Sequence, residues 1–312
     1  MNKYTLREKI EKNLEILNNG LVGKEKVMKM GLLSILSGEN MILVGPPGTA
    51  KSEISRRLRE ILADTDSETY FEYLFTKFTT PEEIFGPLSI KQLQNDKFER
   101  NTEGYMPSSR IVFLDEIFKA NSSILNTLLT ILNERVFHNG LKREKTSLIS
   151  LIGASNELPF ENDELTALYD RFLIRVVVGY VSDEEIEELL DIKETEMEIP
   201  AEIKFTEFDL NEIRNESEKV RVTSGIKRTV MQIRQEYNKI FAEDNHEIIS
   251  DRKLVKMVKL LKISAYLNGR DKVDFSDLML LTNCLWNNPK NIEKVTKLVL
   301  EAVKRNVAKD EE

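Results

Sequence analysis

Lys51 and Ser52 are the residues whose types and surroundings most directly specify chemistry. They close the stretch Gly45-Pro46-Pro47-Gly48-Thr49-Ala50-Lys51-Ser52, which follows the apolar run Met41 to Val44 and precedes a helical pattern from Glu53 to Leu62. Strand, glycine-containing loop and helix, in that order, are the context a phosphate-binding loop requires. Small residues let consecutive backbone N–H groups converge on an anion. The helix that follows points the positive end of its dipole at the same spot. Lys51 then reaches the β- and γ-phosphates of a nucleoside triphosphate, and the Ser52 hydroxyl ligates Mg²⁺. Ala50 stands where the general pattern has its last glycine, a variant that a negative φ would tolerate. The plainer alternative is an ordinary strand-to-helix turn that ends in Lys-Ser. The flanks and the partner motifs count against it.

A second chemical pair comes 64 positions after Lys51: Ile111 to Leu114 is an apolar run that ends in Asp115-Glu116. A short continuous apolar run of this kind predicts a buried parallel strand. In open α/β sheets, ligands bind at the carboxyl ends of the strands. Asp115 can then face Ser52 and hold Mg²⁺, and Glu116 can act as the base that orients and polarises an attacking water. Alone, four apolar residues followed by Asp-Glu could simply begin the next helix. A third apolar run, Leu148 to Ser155, ends in Asn156. That side chain could hydrogen-bond a γ-phosphate or the attacking water, or be an ordinary turn residue. Arg171, at a helix-to-strand corner before the run Phe172 to Val178, is either a solvated arginine or one that completes a neighbouring subunit's site.

The elements that must position these residues read as follows. Amphipathic helices are predicted over residues 5–18 and 25–37. Strands are predicted at 41–44, 70–75, 111–114, 148–156 and 172–178, with helices at 53–62, 121–135 and 165–170. Residues 89–109 read as a long polar, irregular insert, and 137–145 read as a hairpin with a basic tip, Lys142-Arg143-Glu144-Lys145. From Val181 the β-branched runs stop. Helical patterns then cover 182–194, 210–220, 225–242, 251–267, 275–286 and 292–307, with Ser250 as an N-cap. The fold class expected is α/β, a parallel sheet flanked by helices, over residues 1–180, with an all-helical domain over 181–312. The tail 309–312 reads as frayed.

Composition bounds the answer from outside. The 312 residues are enough for two domains, and 41% hydrophobic with 31% charged content indicates a folded soluble chain. The net charge of −8 argues against nucleic acid as the main partner. Cys284 is the one cysteine, so no intrachain disulfide can form, and a reducing compartment is expected. His138 and His246 lack zinc-ligand spacing. No run approaches membrane-span length and no secretory segment opens the chain, so a cytoplasmic location is expected.

The ordered motifs resemble the MoxR family of AAA+ ATPases, and in particular its RavA branch. The resemblance is carried by Gly45 to Ser52, Phe85 to Ser89, Ile111 to Ile117 and Ile124 to Leu129. It extends through Asn133-Glu134-Arg135, Tyr169 to Phe172, Ser250-Asp251-Arg252, Leu280-Leu281 and Cys284-Leu285-Trp286. It spans most of residues 20–290, and Ala50 is the residue that branch uses. It implies an ATPase that assembles as a ring, a hexamer, with nucleotide between subunits and ATP and Mg²⁺ as cofactors. The loop Gly45 to Ser52 would be the Walker A motif, Asp115 and Glu116 Walker B, Asn156 sensor 1, Arg171 the arginine finger and Arg252 sensor 2. Arg221 and Arg228 are alternatives to Arg252, and Arg135 is a rival for contact across the subunit interface. Val22 and Gly23 join the loop as nucleotide-contacting candidates. The insert and the hairpin resemble elements that line the pore or touch clients. A partner carrying a von Willebrand factor A domain is implied, as is chaperone-like or metal-cofactor-insertion work. RavA proteins continue beyond the lid, whereas this sequence stops at Glu312. The alternatives are a nucleic-acid motor or loader, supported by the basic hairpin, and a slow nucleotide-gated switch, which intact Asp115 and Glu116 argue against.

Overall fold

Residues 13–204 form one compact unit, and residues 1–12 with 205–312 form another, in the computed structural model of the chain. The structure describes residues 4–63, 70–159, 163–191, 197–244, 247 and 249–310. His246 and the last two residues of the tail therefore lie outside the described residues. The division at 204/205 differs from the expected boundary near Tyr180. A short turn, Asp183–Glu185, and the helix Ile186–Leu190 follow the sheet and still belong to the first unit. Helical composition begins before the α/β unit ends.

In the α/β unit the chain passes through α1 (Leu6–Asn18), α2 (Glu25–Ser37), β1 (Met41–Val44), α3 (Lys51–Arg59), β2 (Tyr70–Leu74), α4 (Pro81–Phe85) and α5 (Ile90–Leu93). It continues through β3 (Ile111–Asp115), α6 (Ser122–Glu134), β4 (Val136–Asn139), β5 (Lys142–Lys145), β6 (Ser150–Ser155), α7 (Asp163–Tyr169), β7 (Ile174–Val177) and α8 (Ile186–Leu190). Five strands form a parallel sheet in the order β2-β3-β6-β1-β7, while β4 and β5 make a separate antiparallel hairpin. β1 is buried along its whole length, as is β6. β1 is apolar throughout, while β6 buries Ser150 and Ser155 beside apolar residues; burial of this extent follows from helices covering both faces of a parallel sheet. The register is set by Met41 opposite Ile152 and Ile174, and Phe113 opposite Ile152. The expected polar insert contains the short helix α5 and a 3₁₀ turn at Met106–Ser108.

The other unit packs α9 (Glu207–Glu218), α10 (Ser224–Ile240), α11 (Asp251–Leu267) and α12 (Ile292–Asp310) with the first turns of α1. Here Phe275–Asn283 is a run of 3₁₀ turns rather than the expected α-helix. Asp274 caps its start, and Asp277 is held by Arg270 through two short bonds of 2.6 and 2.7 Å. Buried Lys9 donates to buried Asp209 at 2.7 Å and so ties α1 to α9.

Candidate nucleotide site

The loop after β1 is shaped by close backbone approach. A Cβ at Gly45 would lie 2.1 Å from the Val178 carbonyl oxygen, so only glycine fits there. The Gly45 N–H donates to the Ser155 carbonyl at 3.0 Å, which carries the sheet ladder one residue past β1. Gly48 is left-handed, with a φ of 76°. Ala50 is left-handed too, at φ 64° and ψ 24°, as the residue that opens α3. The expectation of a negative φ at Ala50 is therefore overturned. The loop must wrap back on itself before the helix begins, and that closure outweighs the local preference of an L-residue, a penalty of about 1–2 kcal/mol.

Lys51 shows what the loop is wrapped around. Its Nζ donates to the carbonyls of Gly45 at 2.9 Å and Pro46 at 2.8 Å, and the Thr49 hydroxyl donates to Pro46 at 2.9 Å. Burial pushes the Lys51 ammonium below the usual lysine range, against the pull of the Asp115 and Glu116 carboxylates. A buried ammonium inside a ring of backbone is a ready counter-charge for phosphate. Ser52 follows on the first turn of α3.

Three strands deliver the other groups to the same edge of the sheet. β6 lies between β1 and β3, so Gly45, Asn156 and Asp115 leave adjacent strands at their carboxyl ends. With strands about 4.8 Å apart, β1 and β3 are about 10 Å from each other. Asn156 is exposed there. The Asp115 carboxylate accepts the Glu116 N–H at 2.9 Å. Glu116 is left-handed, with a φ of 52°, and its carboxylate lies 3.4 Å from the Lys119 ammonium. The donors fit the group: a serine hydroxyl and an aspartate are hard oxygen ligands of the type Mg²⁺ takes.

Val22 is buried and Gly23 is left-handed at φ 65°. A Cβ on Gly23 would come within 3.1 Å of the Glu185 carboxylate, and Lys24 donates to the Gly179 carbonyl at 3.0 Å. These contacts bring the Val22 turn against the segment that leaves β7. On that segment the Tyr180 hydroxyl donates to the Pro47 carbonyl of the loop at 3.3 Å. Tyr180 and Glu185 were not among the expected site residues. No local pattern signalled them: the place of β7 beside β1 comes from sheet order, and only with β7 parallel to β1 must the segment after it pass the loop that follows β1.

Arg171 lies at the other end of the sheet. The Ile174 N–H donates to the Asn40 carbonyl below β1, whereas Gly45 sits above it. The separation is one strand length, about 13 Å. Its guanidinium is 3.3 Å from the Asp170 carboxylate. Arg135, the rival candidate, is turned inward: its Nη2 donates to the carbonyls of Gly38 at 2.9 Å and Ile149 at 3.2 Å. Arg252 belongs to the helical unit, exposed on the first turn of α11, where the Ser250 hydroxyl accepts the Lys253 N–H at 3.2 Å. Arg221 pairs there with Asp271 at 2.6 Å.

A parallel sheet with a phosphate loop beside its edge strand, followed by a helical lid, is the architecture of the AAA+ ATPases. A family model described as the MoxR domain in MoxR–vWA–β-propeller ternary systems matches residues 8–217, and one described as an AAA lid domain matches residues 225–299. The chain belongs to the MoxR family of AAA+ ATPases. Among its relatives, the uncharacterized protein MJ0812 of Methanocaldococcus jannaschii is 47% identical over 92% of this chain and 74% of that protein. The chaperone MoxR1 of Mycobacterium tuberculosis is 27% identical over 54% of this chain and 44% of its own length. A solved ATPase candidate from Cytophaga hutchinsonii shares the fold, with a TM-score of 0.73 at 18% identity, covering 96% of this chain and 94% of that one. Among the described residues no helix is long and apolar enough to cross a membrane.

Proposed function

We propose that the protein binds ATP with Mg²⁺, hydrolyses it, and as a ring, a hexamer, couples hydrolysis to remodelling of a protein partner. The observation that carries this reading is the convergence of Lys51, Ser52, Asp115, Glu116 and Asn156 on one sheet edge. Lys51 exchanges its carbonyl partners for phosphate oxygens. Ser52 and Asp115 would hold the Mg²⁺, which neutralises phosphate charge when bound. Glu116 takes the proton of the attacking water, and Asn156 orients that water or the γ-phosphate. Val22, Gly23 and Tyr180 border the loop on its other side. Arg171, a strand length from its own loop, serves a neighbouring protomer's nucleotide, and Arg252 brings the lid into the cycle. The family model's description supports a partner with a von Willebrand factor A domain. Ala50 and the run Tyr169 to Phe172 support a place near the RavA branch. The basic hairpin gives the nucleic-acid alternative little support, because Lys142 pairs with Glu99 at 2.7 Å and Arg143 with Glu134 at 2.5 Å.

The test is a pair of variants. Lys51→Ala is expected to lose ATP binding in calorimetry. Glu116→Gln is expected to keep binding while hydrolysis falls by about 100-fold or more. Unchanged ATP affinity in the first, or normal turnover in the second, removes that residue from the mechanism.

A further inference from the structure

A buried polar node sits at the end of the sheet opposite the phosphate loop. Asn40, 1% exposed, lies between α2 and β1. Its Oδ1 accepts the Leu151 N–H at 3.1 Å and the Arg135 Nη2 at 3.4 Å. Its Nδ2 donates to the Arg171 carbonyl at 3.3 Å. Two donors face one side of the amide and an acceptor faces the other, so its orientation is dictated by its surroundings.

Arg135 is an odd choice for this place. It ends α6 in the left-handed region, with a φ of 55°, where a long side chain is strained. Burial pushes its guanidinium below the usual arginine range, against the pull of Glu39. One of its nitrogens, Nη1, is buried with no hydrogen-bond partner. An apolar residue often serves stability as well as a buried ion does. What the guanidinium supplies here is direction: it gathers Gly38, Ile149 and Asn40, and so aims the Asn40 amide at the corner that bears Arg171.

That corner is held on its other side as well. Phe172 is fully buried, and its ring would lie 3.0 Å from a Cβ at Gly153, so the glycine in β6 lets it seat without shifting. The Arg171 backbone is thus held between a hydrogen-bonded carbonyl and a packed ring.

We propose that Asn40, aimed by Arg135, is a positioning residue for Arg171: it fixes the backbone from which Arg171 reaches a neighbouring protomer's nucleotide. The inference rests on the reading of Arg171 as acting between protomers. Asn40 touches neither nucleotide nor metal, and its effect falls on the site next door rather than on its own.

Asn40→Asp tests this in the full chain. An aspartate keeps the acceptor for Leu151 and strengthens the contact with Arg135. It replaces the donor facing the Arg171 carbonyl with a repelling oxygen. The expected result is an unchanged or higher Tm, an unchanged KM for ATP and a kcat lower by about tenfold. Mixing Asn40→Asp with Glu116→Gln protein should give more hydrolysis than the two parents summed, because each supplies what the other lacks. A wild-type kcat, or no gain on mixing, overturns the proposal. If Asn40→Asp fails to fold, Arg135→Lys takes its place: it keeps the charge but not the fork, and an unchanged kcat there overturns the proposal too. Arg171→Ala measured alongside separates the two ideas. Wild-type turnover in Arg171→Ala sinks the reading of Arg171 and this inference together. A slow Arg171→Ala beside a normal Asn40→Asp sinks this inference alone.

Discussion

Ala50 and Glu116 are both non-glycine residues in left-handed backbone, and both belong to the candidate nucleotide site. Strain of this kind persists where surrounding structure over-determines it, and at sites of this kind the geometry is what the strain secures. At Ala50 the closure is made by Lys51, whose ammonium draws the Gly45 and Pro46 carbonyls inward. Ala50→Gly is expected to raise the free energy of unfolding by about 1 kcal/mol, read by denaturant titration, with ATP affinity unchanged. The strand, tight loop and helix were legible in the sequence from an apolar run, two glycines and a helical pattern in succession. The sign of the Ala50 φ was not. A penalty of about 1–2 kcal/mol is small beside the contacts that close the loop. The inward turn of Arg135 was not legible either, because its partners Gly38 and Ile149 come from distant parts of the chain.

At the scale of elements, most helices and strands follow from apolar periodicity, but their order in the sheet does not. The runs at 41–44, 111–114 and 150–155 are all buried, and nothing local says that the last of them lies between the other two. The amphipathic pattern of α1 was legible, yet no local pattern marks Lys9 as buried. It is buried against Asp209, 200 residues away in the chain. Burial pushes the Asp209 carboxyl up, but Lys9 and the Thr206 donors outweigh it and hold the carboxyl below the usual aspartate range. A depressed carboxyl stabilises the fold above its unfolded value and loses that contribution as pH falls through its folded one. The helical unit is therefore expected to weaken on acidification below about pH 4, and Asp209→Asn should flatten that part of the stability profile. Lys9→Met strands the carboxylate and should destabilise by about 3 kcal/mol, read by chemical unfolding. The run Phe275–Asn283 shows the limit of periodicity: its apolar spacing suits a helix, but the Asp274 cap and the Asp277–Arg270 pair draw it into tighter turns.

At the scale of the molecule, the two ends of the parallel sheet carry different work. One end holds the loop and the carboxylates; the other presents Arg171 and the node behind it. On the reading of Arg171 proposed above, a protomer lacks one component of its own site and offers that component to another. Equal mixing of Arg171→Ala with Glu116→Gln is expected to recover hydrolysis above the sum of the parents, measured as phosphate release. A mixture no better than its parents would falsify the exchange of Arg171 between protomers. The division into two units was legible as a change from β-branched to helical patterns, but its position was not, since Asp183 to Leu190 is helical and still belongs with the sheet.

The pairing of β1 with β6 and β7 has a consequence for synthesis. Met41 waits for Ile152 and then Ile174 before either of its neighbours exists. At about 5–20 residues per second, the ribosome leaves Met41 to Val44 as an unpaired, wholly apolar ribbon for roughly ten seconds. During that interval the nascent chain carries an unpaired apolar segment, and the loop after it lacks the neighbouring strands that shape it.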